Sequence, residues 1–159
     1  MKPAVCNASP LIVLARAGYL DLLPRLVSPV AVPQAVIVEL NAGPADDAAV
    51  RLLGTARWLQ VVEVTRRSPP LAELRLGRGE TEVLEYARDH PGTVAVLDDK
   101  AARRAALALK LPLTGTLGLL LAAVEGGLLP SLAESIDAVR RSGLYVDPAT
   151  IAALTKHAR

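Results

Sequence analysis

The stretch Val94-Ala95-Val96-Leu97-Asp98-Asp99-Lys100 decides the fold. By its position it reads as a buried strand that runs directly into two acids. A helix over Lys100–Leu109 follows, then a second short strand at Leu111–Leu113, then Thr114-Gly115-Thr116 leading into a helix that ends at Glu125. A strand, a helix and a strand at this spacing form a βαβ unit, and βαβ units build parallel sheets. In open sheets of this kind ligands bind beyond the carboxyl ends of the strands. Residues just after each strand are therefore the candidates for chemistry.

The same alternation extends towards the N-terminus. Pro3–Cys6 reads as a short buried strand ending in Asn7-Ala8-Ser9-Pro10. Ser9 then Pro10 predicts a helix start, a hydroxyl capping free N–H groups and a proline at the first helical position. That helix, Leu11–Ala17, stops at Gly18, and Leu20–Val27 looks like a second short helix. Val30–Val32 is strand-like and Pro33 opens a helix through Leu40, stopped by Asn41-Ala42-Gly43-Pro44. Asp46 and Asp47 begin a helix that turns Val50, Leu52 and Leu53 to the core. Leu59–Val64 is the next strand, and Arg66–Pro70 a loop too short to divide domains. Gly77-Arg78-Gly79 precedes a helix from Glu80 to His90, closed by Pro91-Gly92. Beyond Gly126-Gly127, a helix over Leu132–Arg141 stops at Gly143, and Pro148 starts the last one. The expectation is one α/β domain over residues 1–159, with no internal repeat.

Composition narrows the function classes. With 159 residues, 52% of them hydrophobic, the chain can bury one real core. A spanning helix needs about 20 nearly uninterrupted apolar residues, and the longest run, Leu117–Val124, stops at Glu125. The N-terminal apolar run is broken by Asn7, Ser9 and Pro10 and ended by Arg16, so no secretory signal is expected. A single cysteine, Cys6, excludes an internal disulfide and a thiolate zinc cluster, which fits a reducing cytoplasm. A formal charge of +2 predicts neither a nucleic-acid coat protein nor a strongly acidic partner. With no phenylalanine and aromatics at 3%, a base-stacking platform of the single-strand-binding kind is not expected, leaving phosphates and shape to carry most of any RNA contact.

Acids recur where the topology would place a site: Glu39, Glu80 with Glu82, and Asp98 with Asp99, beside Asn7, Thr114 and Thr116. Converging carboxylates repel unless a cation lies among them, and oxygen-only ligands suit Mg²⁺ or Mn²⁺. Such ions serve phosphoryl chemistry. Each residue also has a plain structural reading. Asp99 fits the N-cap of the helix that follows, and Asp98 fits a turn. Successive strand residues point opposite ways, so one of the two acids faces the site. Glu80 and Glu82 lie about 200° apart on a helix and cannot share one ligand direction. Glu39 borders the apolar stripe of Val36, Ile37 and Leu40. Thr116 fits a helix cap, and Arg103 and Arg104 fit a solvated helix face. Gly77-Arg78-Gly79 lacks the lysine and spacing of a phosphate loop, which argues against a nucleoside-triphosphate site. His90 and His157 do not stand where a catalytic base is needed, and Trp58 reads as packing.

Taken in order, Asn7-Ala8-Ser9-Pro10-Leu11-Ile12, Pro33-Gln34-Ala35-Val36 with Glu39-Leu40, Gly79-Glu80-Thr81-Glu82, Asp98-Asp99-Lys100 with Arg103, and Thr114-Gly115-Thr116-Leu117-Gly118 form a pattern spanning most of the chain. The pattern resembles the PIN-like domains related to VapC toxins. The resemblance implies a three-layer α/β/α fold with a central parallel sheet and a Mg²⁺- or Mn²⁺-dependent endoribonuclease activity on RNA. It also implies homodimerisation and a small antitoxin partner. By the same resemblance Glu39 stands for the second acid of the site and Glu80 for the third, with Glu82 the alternate. Asp99 stands for the fourth, with Asp98 the alternate, so Glu39, Glu80 and Asp99 are the expected catalytic acids. Ser9 matches the small hydroxyl residue after the first acid. Ser9, Arg103 and Thr116 are the expected substrate contacts. Asn7 departs from the pattern, since aspartate is usual there. A neutral amide can coordinate through oxygen but brings no full charge, so a binding module without catalysis is the competing expectation.

Overall fold

The computed structural model describes residues 1–44 and 47–157; Asp46, expected at a helix start, lies outside the described residues. Five strands alternate with helices: β1 (Ala4–Cys6), β2 (Val30–Pro33), β3 (Leu59–Val62), β4 (Val94–Val96) and β5 (Leu113–Thr114). The helices are α1 (Ala8–Arg16), α2 (Leu23–Leu26, after a 3₁₀ turn at Leu20–Leu22), α3 (Gln34–Asn41), α4 (Ala48–Thr55) and α5 (Pro69–Ala72). They continue with α6 (Arg78–Asp89), α7 (Lys100–Ala108), α8 (Thr116–Glu125), α9 (Leu132–Arg141) and α10 (Pro148–His157).

All strand pairs are parallel, in the order β3-β2-β1-β4-β5. β1 and β2 are buried along their whole length, while β3 at one edge is half-exposed. Val5 pairs with Ala31 on one side and Ala95 on the other, which puts a short, fully buried strand at the centre. The chain leaves β1 towards β2 and β3, then returns across the sheet to β4 and β5. Right-handed crossovers moving in opposite directions must cover opposite faces. Accordingly α6 packs on β1, β2 and β4 beside α5 and α7, whereas α1 packs with α4, α8 and α9. This is the expected three-layer α/β/α arrangement. Leu11, Leu14, Leu84 and Leu97 are fully buried between the layers, each contributing roughly 1.5–3 kcal/mol of transfer free energy.

Several boundaries differ from the sequence reading for local reasons. Ser9 does not cap α1; the N-cap is Asn7, and Ser9 and Pro10 occupy the first turn, where a proline's missing N–H costs nothing. Leu111 does not start β5, because its N–H bonds back to Ala106 O at 2.9 Å over Lys110, whose φ is +56°. That left-handed closure of α7 consumes the residue a strand would need. The expected Arg66–Pro70 loop contains the start of α5, with Ser68 as N-cap and the prolines in the first turn. The strand expected to reach Val64 ends at Val62.

The reversal of strand order between β1 and β4 opens a crevice at their carboxyl ends. The Asn7 N–H bonds to Val96 O (3.1 Å) and the Leu97 N–H to Thr114 O (3.0 Å), so the three strand ends are locked in register there. No described helix is long and apolar enough to cross a membrane.

Candidate active site

Asn7 leaves β1 into the crevice and is 2% exposed. Its backbone opens α1, yet its side chain caps nothing. Instead Nδ2 donates to Glu80 Oε1 at 3.0 Å. Its Oδ1 is buried and, among the described residues, has no hydrogen-bond partner, an arrangement that costs about 1–3 kcal/mol unless a further group satisfies it. Glu39, carried over from α3, accepts the Gly79 N–H on Oε1 at 3.1 Å. A Cβ at Gly79 would lie 2.5 Å from Glu39 Oε1 and 3.0 Å from Asn7 Oδ1. The two oxygens therefore converge on a spot that only glycine leaves open. Gly77 has the same relation to Glu80, whose Oε2 occupies the place of its missing side chain.

Electrostatics follow the geometry. Burial raises the Glu39 carboxyl above its ordinary value; the Gly79 N–H opposes this, and Glu80 and Glu82 add to the rise. Among the described residues neither Glu39 nor Glu80 has an ion-pair partner. Cys6, ending β1 beneath them, has its thiol pushed up to about 12, first by burial and then by Asp98. It is a packed, neutral thiol and no nucleophile.

The second wall comes from β4 and α8. Asp98 accepts the Thr116 N–H on Oδ1 (2.8 Å) and the Thr116 hydroxyl on Oδ2 (2.6 Å). Thr116 is fully buried at the start of α8, so this pair fixes the helix to the end of β4. The Arg103 guanidinium donates to Leu97 O at 2.8 Å, and a Cβ at Gly115 would lie 2.8 Å from both Arg103 and Asp98 Oδ1. Asp99 is exposed and caps α7, accepting the Ala102 N–H at 2.8 Å. Of the two adjacent acids, Asp98 turns to the crevice.

Glu82 is buried and engaged elsewhere. Its Oε2 accepts the Ala35 N–H (3.1 Å), capping α3, and Oε1 takes Arg78 Nε (3.3 Å). Ser9 is exposed on the first turn of α1. Arg104 borders a separate apolar groove with Pro70 and Leu71. His90 stacks on Tyr86 at the end of α6 and bonds its backbone through Nδ1, and Trp58 packs on the core. The structure thus brings together Asn7, Glu39 and Glu80 around Gly79, and Asp98, Thr116 and Arg103 around Gly115 at the neighbouring strand end; Glu82 and Asp99 cap helices, Arg104 borders another groove and Ser9 is exposed. The sequence reading did not single out Gly79 as a cradle or Tyr145, which with Asp98, Lys100 and Arg103 lines a cleft of about 410 Å³ under α10. The glycine was visible as the residue before Glu80; the tyrosine had no local signal.

Among the described residues no three His, Cys, Asp or Glu side chains are arranged to hold a metal ion. Glu39, Asp98 and Glu82 accept backbone N–H groups, and Glu80 accepts the Asn7 amide. The donor set nevertheless fits a hard divalent cation. It consists of oxygens, and one of them, Asn7 Oδ1, is buried and unsatisfied among the acids.

No curated protein sequence matches the chain. The PIN-domain family model matches it over residues 3–159, and that fold generally serves nucleases that employ divalent metals. That match spans nearly the whole chain and agrees with the five-stranded parallel sheet, and the chain belongs to the PIN-domain family.

Proposed function

We propose that the chain is a Mg²⁺- or Mn²⁺-dependent endoribonuclease that hydrolyses RNA phosphodiesters at the crevice of Asn7, Glu39, Glu80 and Asp98. The observation that carries this reading is the buried, unpartnered Asn7 Oδ1 set between two carboxylates. Asn7, Glu39, Glu80 and Asp98 would hold the cation, and when bound it supplies positive charge for the phosphoryl group. The chain's own groups do the rest. Glu39 keeps Oε1 on Gly79, which leaves Oε2 to take a proton from the attacking water as its oxygen bonds to phosphorus, while the P–O bond to the ribose oxygen breaks and that oxygen takes its proton from solvent. Asn7 orients Glu80 through Nδ2. Thr116 holds both oxygens of Asp98, making it a positioning residue rather than a phosphate contact. Arg103, anchored on Leu97 O, presents its charge beside Asp98. Of the adjacent acids we assign the role to Asp98 and leave Asp99 as a helix cap.

A toxin role, a small antitoxin partner, homodimerisation and a cytoplasmic setting belong to this proposal through the resemblance to VapC toxins. A second reading is favoured by one residue: Asn7 removes a charge from the metal set, which suits a binding module that keeps RNA or antitoxin contacts without cutting.

The test is cleavage of mixed RNA with added Mn²⁺. Glu39→Gln and Asp98→Asn should each lower the rate at least about 100-fold, while Asp99→Asn keeps it and costs about 1 kcal/mol or less of stability through the cap. Full cleavage by both Glu39→Gln and Asp98→Asn would remove these residues from the site. A parent protein that cuts no RNA would put the binding module first.

A further inference from the structure

The chain has one tryptophan, three tyrosines and no phenylalanine. Tyr19, Trp58 and Tyr86 pack against the core, whereas Tyr145 is 80% exposed. Its presentation is built into the turn between α9 and α10. Gly143, at φ +108°, and the bond from Leu144 N–H to Val139 O (3.0 Å) close α9. Val146 is then buried and Asp147 caps α10 by accepting the Thr150 N–H and hydroxyl. With Leu144 half-buried, Val146 buried and both helix ends tied, the ring between them is held out on a short rigid link.

Tyr145 also stands between two clefts. One, of about 410 Å³, contains Asp98, Lys100 and Arg103 and so opens from the crevice. The other, of about 360 Å³, is lined by Arg140 and Arg141. A single-stranded nucleic acid needs an aromatic face for a base and cations for the flanking phosphates. Both clefts share Tyr145, and each brings arginine to its own side. Anions thin the charge along this line: Asp147 lies near Lys100, and Asp137 pairs with Arg140 at 3.6 Å. Stacking therefore has to carry more of the contact than charge does. The scarcity of aromatic residues excludes a many-ringed platform but not a single ring in a fixed place.

We propose that Tyr145 is the stacking platform for a base of single-stranded RNA, which passes from the Asp98 crevice over the ring to Arg140 and Arg141. The idea rests on the ribonuclease reading for its substrate class. Its test is kept apart from that reading by measuring binding without cleavage. Fluorescence anisotropy in EDTA would use a labelled single-stranded RNA of about ten nucleotides. Tyr145→Ala and Tyr145→Leu should both weaken binding about tenfold or more, and Tyr145→Trp should match or exceed the parent. Arg141→Gln should flatten the slope of log affinity against log salt by about 0.7. The corresponding duplex should bind about tenfold more weakly, since its bases are already stacked.

Unchanged affinity in Tyr145→Ala, or full affinity in Tyr145→Leu, would overturn the proposal. So would equal binding of duplex and single strand. A change of oligomeric state in Tyr145→Ala with RNA affinity intact would assign the ring to a protein partner and equally overturn it. Loss of RNA binding in Tyr145→Ala beside a parent that binds no Mn²⁺ would support the track and remove only the metal-dependent reading. Saturable Mn²⁺ binding with no effect of Tyr145→Ala would do the reverse.

Discussion

Asp47 and Glu39 both lie between β2 and β3, and they live in opposite electrostatic worlds. Asp47 caps α4 through the Ala49 N–H and meets Arg16 Nη2 at 2.5 Å, tying α1 to α4. The Arg16 hydrogen bond, with that cap, holds its carboxyl below the ordinary value. Among the described residues Glu39 has a backbone N–H but no cation, and burial with two neighbouring glutamates pushes its carboxyl up. One region carries its counter-charge in its own sequence. The crevice gathers carboxylates around a neutral amide, and among the described residues Glu39 and Glu80 find no ion-pair partner. The lesson is that an acid's role shows in what completes it, not in its being an acid. Helix α6 repeats the contrast within two turns: Glu80 faces Asn7, while Glu82 caps α3 and Glu85 anchors Ser68.

The largest expected effect breaks the anchored kind. Glu85 is fully buried and accepts both the Ser68 N–H (2.5 Å) and hydroxyl (2.6 Å) on Oε1, fixing the loop before α5 to α6, while its Oε2 is buried with no hydrogen-bond partner among the described residues. Glu85→Ala should cost about 3 kcal/mol, since it strands two donors and leaves a void. That is roughly 6–12 °C in Tm for a chain of this size. Glu85→Gln, which keeps an acceptor for Ser68, should lose less than about 1 kcal/mol. Mn²⁺ affinity should be the same in both as in the parent. A Tm for Glu85→Ala equal to the parent's would show that the anchor carries no stability.

The smallest effect sharpens the comparison through pH. Asp47 has a folded value below the unfolded one, so its contribution is present above the ordinary carboxylate range and lost as pH falls through the lowered value. Glu39 has a folded value above the unfolded one. Its metal-free contribution is complete below the ordinary range and lost as pH rises through the raised value. Melting curves across the acid range should therefore change in opposite senses. Asp47→Asn should reduce the loss of stability on acidification, and Glu39→Gln should reduce the loss on the way back to neutrality. Identical slopes for the two variants would contradict the contrast.

The order of strands and helices was legible because apolar runs, prolines and glycines punctuate the chain at βαβ spacing. So was the convergence of acids, because the topology sends strand ends to one edge. The choice between neighbours was not. Asp98 and Asp99 are adjacent, and only the docking of α8 through Thr116 tells which one faces inward. Glu80 and Glu82 were known to diverge, but the packing of α6 against α3 decides that Glu82 is the cap. Leu111 reads as strand in any window, and the closure over Lys110 overrides it. Tyr145 was invisible because its place depends on the chain after α9 returning to β5, a long-range event with no local pattern.

The central claim, that Asn7 Oδ1 and the facing carboxylates form a divalent-cation site, is tested most directly by calorimetric titration of Mn²⁺ into the parent and Asn7→Asp. The parent should bind saturably at up to millimolar concentration. Asn7→Asp replaces a neutral oxygen with a charged one and should bind about tenfold more tightly, roughly 1.4 kcal/mol. Its metal-free form should melt slightly lower, because Glu80 loses the Nδ2 donor and gains a like charge. No saturable binding by the parent, or equal affinity in both proteins, would contradict the account.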